Sequence, residues 1–170
     1  EKRARLILNT DAKNEADDQF TIVHALLTPT FDFHGIIPPH FGDHRSKTSM
    51  EDSRKEIDHL LDLMDLSGRI PVANGAATAL PDEQTAVPSA GAQMIIDEAM
   101  KDDDRPLYVA FLGPLTDMAS AILMEPRLNE RNVICVWIGG GAGAMLIGGG
   151  GATGGGGAVS CGCSGGGSSG

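Results

Sequence analysis

Leu6 to Phe20 reads LILNTDAKNEADDQF. An apolar run ends at Asn9, and acids then crowd the chain at Asp11, Glu15, Asp17 and Asp18. Arg5 to Leu8 reads as a short buried strand. Glu15 to Leu27 reads as a helix, with Ala16, Phe20, Val23 and Leu27 recurring at helical spacing on one apolar face. Thr28-Pro29 stops it, because the residue before proline is held out of the helical region. The acids therefore fall on the passage from a first strand into a first helix.

The same alternation continues outward from this stretch. Phe31 to Ile37 is a second strand, followed by a loop with Pro38 and Pro39. Thr48-x-x-Glu51 has the spacing of a capping box. The helix it opens sets Ile57, Leu60, Leu61 and Met64 on one stripe, Gly68 closes it, and Ile70 to Ala73 follows as a short strand. Ala90 to Met100 is an amphipathic helix, PLYVAFLG (Pro106 to Gly113) a strand, Leu115 to Met124 a helix, and NVICVWIGG (Asn132 to Gly140) a strand. Strands alternating with helices predict an α/β fold: a Rossmann-like, open, mostly parallel sheet covered by helices on both faces. Right-handed crossovers bring the strand carboxyl ends to one edge, where such sheets form their sites.

That placement gives the acids two readings. Asp17 and Asp18 in a helix's first turn complement the helix dipole. Asp11 lies ahead of that turn, and three carboxylates gathered at one strand end repel each other unless a cation or proton intervenes. Oxygen donors of this kind suit Ca²⁺ or Mg²⁺ rather than zinc. The spacing is not that of an EF-hand, which needs Asp/Asn at alternate positions around a central glycine.

The 170 residues fit one domain, and a formal charge of −10 disfavours a nucleic-acid partner. No run of about 18 apolar residues suggests a membrane span, and no leader pattern opens the chain, so cytoplasmic is the expected compartment. Of the three cysteines, Cys135 lies in a strand, and Cys161 and Cys163 are too close for a zinc pair; no disulfide framework is implied. Beyond Arg131 no charged residue occurs, and most of the 23 glycines fall after Trp137. Residues 1–141 thus read as part of an α/β domain, and 142–170 as a Gly/Ala/Ser-rich segment. That segment is a low-complexity linker, an appended tag or a stand-in for residues whose side chains are unidentified. The abrupt switch inside a strand-to-loop passage favours the stand-in, so the C-terminal part of the domain counts as missing or unidentified, and no function is drawn from it.

The stretch LILNTDAKNEADDQFTIVHALLTP resembles the opening of inosine–uridine nucleoside hydrolases, whose first strand ends in D-T-D with D-D soon after at a helix start. VAFLGPLTDMASAI is similar to a second family segment, a strand followed by G-P/A-L-T-N and a helix, and VWIGGG to the hydrophobic-Gly-Gly stretch after it. The resemblance implies a calcium-dependent hydrolase of N-glycosidic bonds in a ribonucleoside or related riboside, with homodimeric or homotetrameric assembly. On that pattern Asp11 would hold Ca²⁺ and take a proton from its bound water, Asp18 and the Leu112 carbonyl would also bind the metal, and Asp17 would contact ribose hydroxyls. His40 is a further candidate for substrate binding, although the residues alone favour a surface or packing role for it.

The chain departs from the pattern. Asn9 replaces the first Asp of D-T-D, AKNEA is a longer spacer than usual, and GIIPPHFGD stands where a threonine-rich strand end and a G-N pair are expected. The family's later ribose contacts, last calcium aspartate and leaving-group histidine should follow WIGGG, where the glycine-rich segment stands. Two alternatives stay open: a non-catalytic sugar- or nucleoside-binding protein, and a metal-dependent phosphohydrolase of the haloacid-dehalogenase type, which Asn9 argues against. Trp137 reads as core, His24 as structural, His59 as exposed, Asp102 to Asp104 as a solvated loop, and Thr116 or Asp117 as a helix cap.

Overall fold

The computed structural model describes residues 3–42, 45–138 and 159–161. The elements run β1 (Ala4–Asn9), α1 (Asp17–Leu27), β2 (Phe31–Ile37), α2 (Ser49–Leu63), α3 (Ala90–Ala99), β3 (Leu107–Phe111), α4 (Thr116–Met124), a 3-10 turn (Pro126–Glu130), β4 (Val133–Trp137) and β5 (Val159–Cys161). The sheet order is β2-β1-β3-β4-β5. The first four strands are parallel, and β5, which comes from the glycine-rich segment, is antiparallel to β4. This is the expected α/β sheet, with β1 an interior strand between β2 and β3.

Alternation along β1 divides the core in two. Ile7 packs with Val109 and Phe111 of β3 against Ile95 of α3 and Met118 and Ala121 of α4. Leu6 and Leu8 face the other way, onto Ile22 and Ala25 of α1 and Ile57 and Leu61 of α2. An interior parallel strand packs apolar side chains on both faces, which is why Leu6, Ile7 and Leu8 of β1 are apolar in succession. Helix α1 therefore lies on one face of the sheet and α4 on the other, and both begin at its carboxyl edge.

Helix α1 is rotated from the expected orientation. The stripe Ala16, Phe20, Val23 and Leu27 is its outward side, with Phe20 78% and Leu27 69% exposed; Asp18, Ile22 and Ala25 face the sheet. The helix follows the smaller Ile22–Ala25 pair, which fits over Leu6 and Leu8, and this turns Asp18 inward at the strand end. The helix starts at Asp17, not Glu15. The Thr48 capping box does not form: the hydroxyls of Ser46 and Thr48 both go to Asp52 instead. Ile70 to Ala73 supplies only a single parallel bridge, Val72 to Ile36. His24 is exposed rather than structural, and His59 is exposed as expected. Trp137 and Cys135 pack against the α3–α4 core. Among the described residues, no helix is long and apolar enough to cross a membrane.

Candidate active site at the carboxyl edge of the sheet

The backbone leaves β1 held between two neighbours. Thr10 N–H donates to the Ile37 carbonyl at 3.0 Å, and Leu112 N–H donates to the Asn9 carbonyl at 2.9 Å. The ends of β2 and β3 are thereby held on either side of residues 9–11. A tight turn follows, closed by Asn14 N–H to the Asp11 carbonyl at 2.7 Å. The long AKNEA spacer is this turn plus the approach to α1.

Asp11 is 5% exposed and accepts from Asn14 Nδ2 at 3.1 Å. Burial pushes its carboxyl up, against the lowering effect of hydrogen bonds from its own backbone and from Asn14, and the charges of Glu15 and Asp17 add to the rise. Asp18 is 4% exposed and accepts from the Thr10 hydroxyl at 2.5 Å. Burial raises Asp18 most; the Thr10 bond opposes it, and the charges of Asp11, Asp17 and Glu15 carry it to about 6. Asp17 is exposed on the rim. Consecutive helical residues point about 100° apart, so Asp17 and Asp18 cannot both face the strand end. The expected trio of converging carboxylates is therefore a buried pair with a third charge outside it.

The end of β3 completes this corner. A Cβ at Gly113 would lie 2.7 Å from Asp11 Oδ1, so only glycine lets the chain pass so close to that carboxylate. Trp137 Nε1 donates to the Gly113 carbonyl at 3.0 Å, which fixes the segment from β4. The Leu112–Gly113 peptide thus runs beside Asp11, with Leu112 anchored through its own N–H to Asn9.

Basic side chains close in sequence are engaged elsewhere. Lys13 pairs with Glu56 at 2.8 Å, and Arg45 bonds the Asn14 side chain. Among the described residues, no lysine or arginine pairs with Asp11 or Asp18, and no three acids, histidines or cysteines form a ready metal cluster. What exists is a pair of buried, mutually repelling carboxylates with a main-chain segment beside them. That donor set fits a hard cation, whose remaining oxygens would come from water, substrate or residues outside this group.

His40 stands on the opposite side of the strand end. It is 4% exposed, so neither a surface role nor direct solvent contact holds; its N–H donates to the Ala76 carbonyl, and Nε2 meets the Thr116 hydroxyl, each at 3.0 Å. Sequence reasoning did not find the groups that hold the acids. Thr10, Asn14 and Gly113 carry no chemistry of their own and gain meaning only once the turn has folded. Asp117 was read as a helix cap, yet α4 has no side-chain cap and Asp117 is fully buried.

A family model described as inosine-uridine preferring nucleoside hydrolase matches residues 6–156. A plant nucleoside hydrolase shares 21% identity at a TM-score of 0.57, over 81% of this chain and 48% of that one. A purine-preferring ribonucleoside hydrolase from Gardnerella vaginalis shares 20% at a TM-score of 0.62, over 80% of this chain and 48% of that one. An inosine-guanosine nucleoside hydrolase shares 23% at a TM-score of 0.54, over 78% and 49% respectively. At such identities the likeness establishes the fold, and the chain spans about half the length of these structures. No curated protein sequence matches the chain.

Proposed function

Because this chain belongs to the inosine–uridine preferring nucleoside hydrolase family, we propose that it serves the hydrolysis of an N-glycosidic bond in a ribonucleoside or related riboside, with Ca²⁺ as the cation. The observation that carries this reading is the pair Asp11 and Asp18: both buried, Asp18 pushed up to about 6, neither met by a basic side chain among the described residues. Two uncompensated carboxylates at the carboxyl edge of an α/β sheet have no structural purpose that an amide would not serve at lower electrostatic cost.

In this proposal Asp18, Asp11 and the Leu112 carbonyl hold the cation. When bound, it acidifies water and binds vicinal sugar hydroxyls as a Lewis acid. Asp11 is the general base: its carboxylate takes a proton from the attacking water as oxygen bonds to the anomeric carbon and the C–N bond breaks, its electron pair leaving with the base. The surrounding carboxylates stabilise the positive charge that develops on the sugar ring. Asp17, exposed on the rim, is the acceptor for ribose hydroxyls in this reading. His40, proposed from sequence as a substrate contact, supports the wall on the α4 side through Thr116.

The phosphohydrolase alternative needs a nucleophilic acid at position 9. Asn9 is an amide, and its Nδ2 is committed to Asp117 at 2.9 Å. The binding-only alternative is separated from catalysis by turnover. The test is release of reducing sugar from a nucleoside panel by the full chain with Ca²⁺. The expected result is release from at least one nucleoside, lost by 10²-fold or more in Asp11→Asn. Folded, Ca²⁺-loaded protein that binds a nucleoside without releasing sugar would instead establish the binding-only role.

A further inference from the structure

The last residue of β1 and the second residue of α4 form a bonded pair that the roles above do not use. Asn9 is fully buried, and its Nδ2 donates to Asp117 Oδ2 at 2.9 Å. Facing a carboxylate, an amide can present only its NH₂ group, so Asn9 Oδ1 is turned away, and it is buried without a donor among the described residues. Such unmet acceptors are rare in native proteins and ask for an explanation.

Asp117 is 0% exposed and gathers two more donors on Oδ1: the Ala76 N–H at 2.8 Å and the Ser89 hydroxyl at 2.6 Å. Ser89 is the N-cap of α3. Gly75 packs so tightly here that a Cβ would lie 2.6 Å from Asp117 Oδ2. The neighbouring Thr116 meets His40. One carboxylate therefore joins the end of β1, the loop at Gly75-Ala76 and the start of α3.

The motif letters quoted above make the pair legible. The pattern this chain resembles writes an acid where Asn9 stands and an amide where Asp117 stands. Here acid and amide have traded places, and the 2.9 Å contact shows that the two positions are partners. Either arrangement keeps one N–H···O⁻ bond. What differs is the seat of the charge: on α4 here, and two residues before Asp11 in the alternative.

We infer that Asn9 and Asp117 are an exchanged acid–amide pair that positions the end of β1 while withholding one negative charge from the cation site at Asp11. The pairing rests on the structure and the exchange on the motif letters; its effect on the cation rests on the proposed function. Asp117 is thus a positioning residue, acting through Asn9.

The test uses the full chain in four forms: unmodified, Asn9→Asp, Asp117→Asn, and both together. Each is unfolded thermally and in urea at pH 7 and titrated calorimetrically with CaCl₂. Asn9→Asp sets two buried carboxylates face to face and lowers the midpoint by about 8 °C or more. Asp117→Asn loses less, because Asn9 can turn its unmet Oδ1 toward the introduced amide. The double variant recovers at least half of the Asn9→Asp loss, a non-additivity that only partners show. It also binds Ca²⁺ about three- to tenfold more tightly than the unmodified chain, because a charge has moved beside the site. Should Asn9→Asp alone yield no folded protein, a folded double variant is itself the rescue. Additive losses overturn the exchange. Restored stability with unchanged Ca²⁺ affinity overturns the withheld charge and leaves a purely structural pair. Failure of all four forms to bind Ca²⁺, with the stability cycle intact, overturns the cation in the proposed function and the withheld charge with it, while the exchange stands.

Discussion

At the amino edge of the sheet, acids and bases sit in nearly equal supply. Arg5, 2% exposed, bonds Glu98 Oε1 at 2.8 Å and the Glu98 and Arg105 carbonyls, and lies 3.7 Å from Asp103. Arg105 bonds Asp103 at 2.7 Å and Asp32 at 2.8 Å, and Lys101 reaches Glu98 at 2.5 Å. The β1–β2 register slips between Leu6 and Ile7, so His34 has no partner in β1, and this bulge lets it stand between Asp32 at 3.4 Å and Glu98 at 3.2 Å. At the carboxyl edge, Asp11 and Asp18 have hydroxyl, amide and backbone donors but no basic partner among the described residues. Asp32 and Asp103 are held low, chiefly by Arg105, and Glu98 is held low by Lys101 and Arg5 against its burial. Asp11 and Asp18 are pushed up. One edge is finished, its acids met by bases; the other, among the described residues, is left unfinished.

The largest expected effect breaks the finished edge. Arg5→Ala strips a buried carboxylate of its buried partner and should cost about 3–5 kcal/mol in urea unfolding. The matching change at the other edge should have the opposite sign. In metal-free protein at pH 7, Asp18→Asn keeps an acceptor for Thr10, removes the repulsion, and should raise stability by about 1–2 kcal/mol. The same variant should abolish any rise in melting temperature on adding Ca²⁺. If Asp18→Asn weakened the metal-free protein as Arg5→Ala does, the carboxyl edge would be a self-sufficient polar network and the contrast would be lost.

The contrast was only partly visible in the sequence. The strand–helix order, the burial of β1 and the acids at its carboxyl end follow from the sequence pattern, because Leu6, Ile7 and Leu8 in succession place apolar side chains on both faces of a strand. The rotation of α1 did not follow. Phe20 and Leu27 face solvent, because Ile22 and Ala25, with Leu26 beside them, form the side of the helix that packs over Leu6 and Leu8. The amino-edge network was invisible for another reason: Arg5, Asp32, Glu98 and Arg105 are far apart in the chain and meet only through pairing of β1 with β2 and β3. Asp103 read as a solvated loop acid until Arg105 and Arg5 were placed beside it. Asp117 misled because a T-D at a helix start is ordinarily a cap, and only tertiary contact shows it serving Asn9, Ala76 and Ser89.

An intermediate effect lies in pH. Asp18 titrates at about 6 in the folded chain against an ordinary value near 4. The folded state binds its proton more tightly, so this contribution is complete below about pH 4 and is lost as pH rises through about 6. The amino-edge acids run the other way: their contribution is present above about pH 4 and is lost as pH falls below it, since their folded values are depressed. Metal-free protein should therefore be most stable near pH 4 to 5, weakening on both sides, as measured by urea midpoints across the range. On the proposed function, saturating Ca²⁺ should flatten the upper limb alone, since the proposed cation ligands lie at the carboxyl edge. A metal-free profile that climbs steadily to pH 7 would remove the basis for calling that edge unfinished.

The smallest effect tests whether the amino edge is finished as a whole or only at its buried centre. Asp32 is 38% and Arg105 28% exposed at the side chain, so water screens their bond although it measures 2.8 Å. Asp32→Asn should cost less than about 1 kcal/mol, and most of that should vanish in 1 M salt, as for other surface ion pairs. The Arg5→Ala loss should persist in the same salt, because ions do not reach a side chain this deeply buried. Two routes lead inward from the pair: His34, which touches both Asp32 and Glu98, and Asp103, which lies between Arg105 and Arg5. If Asp32→Asn proved costly and salt-independent, charge would be shared inward through His34 or Asp103 to the Arg5–Glu98 pair, and the finished edge would be one continuous network in which no single pair can be weighed alone.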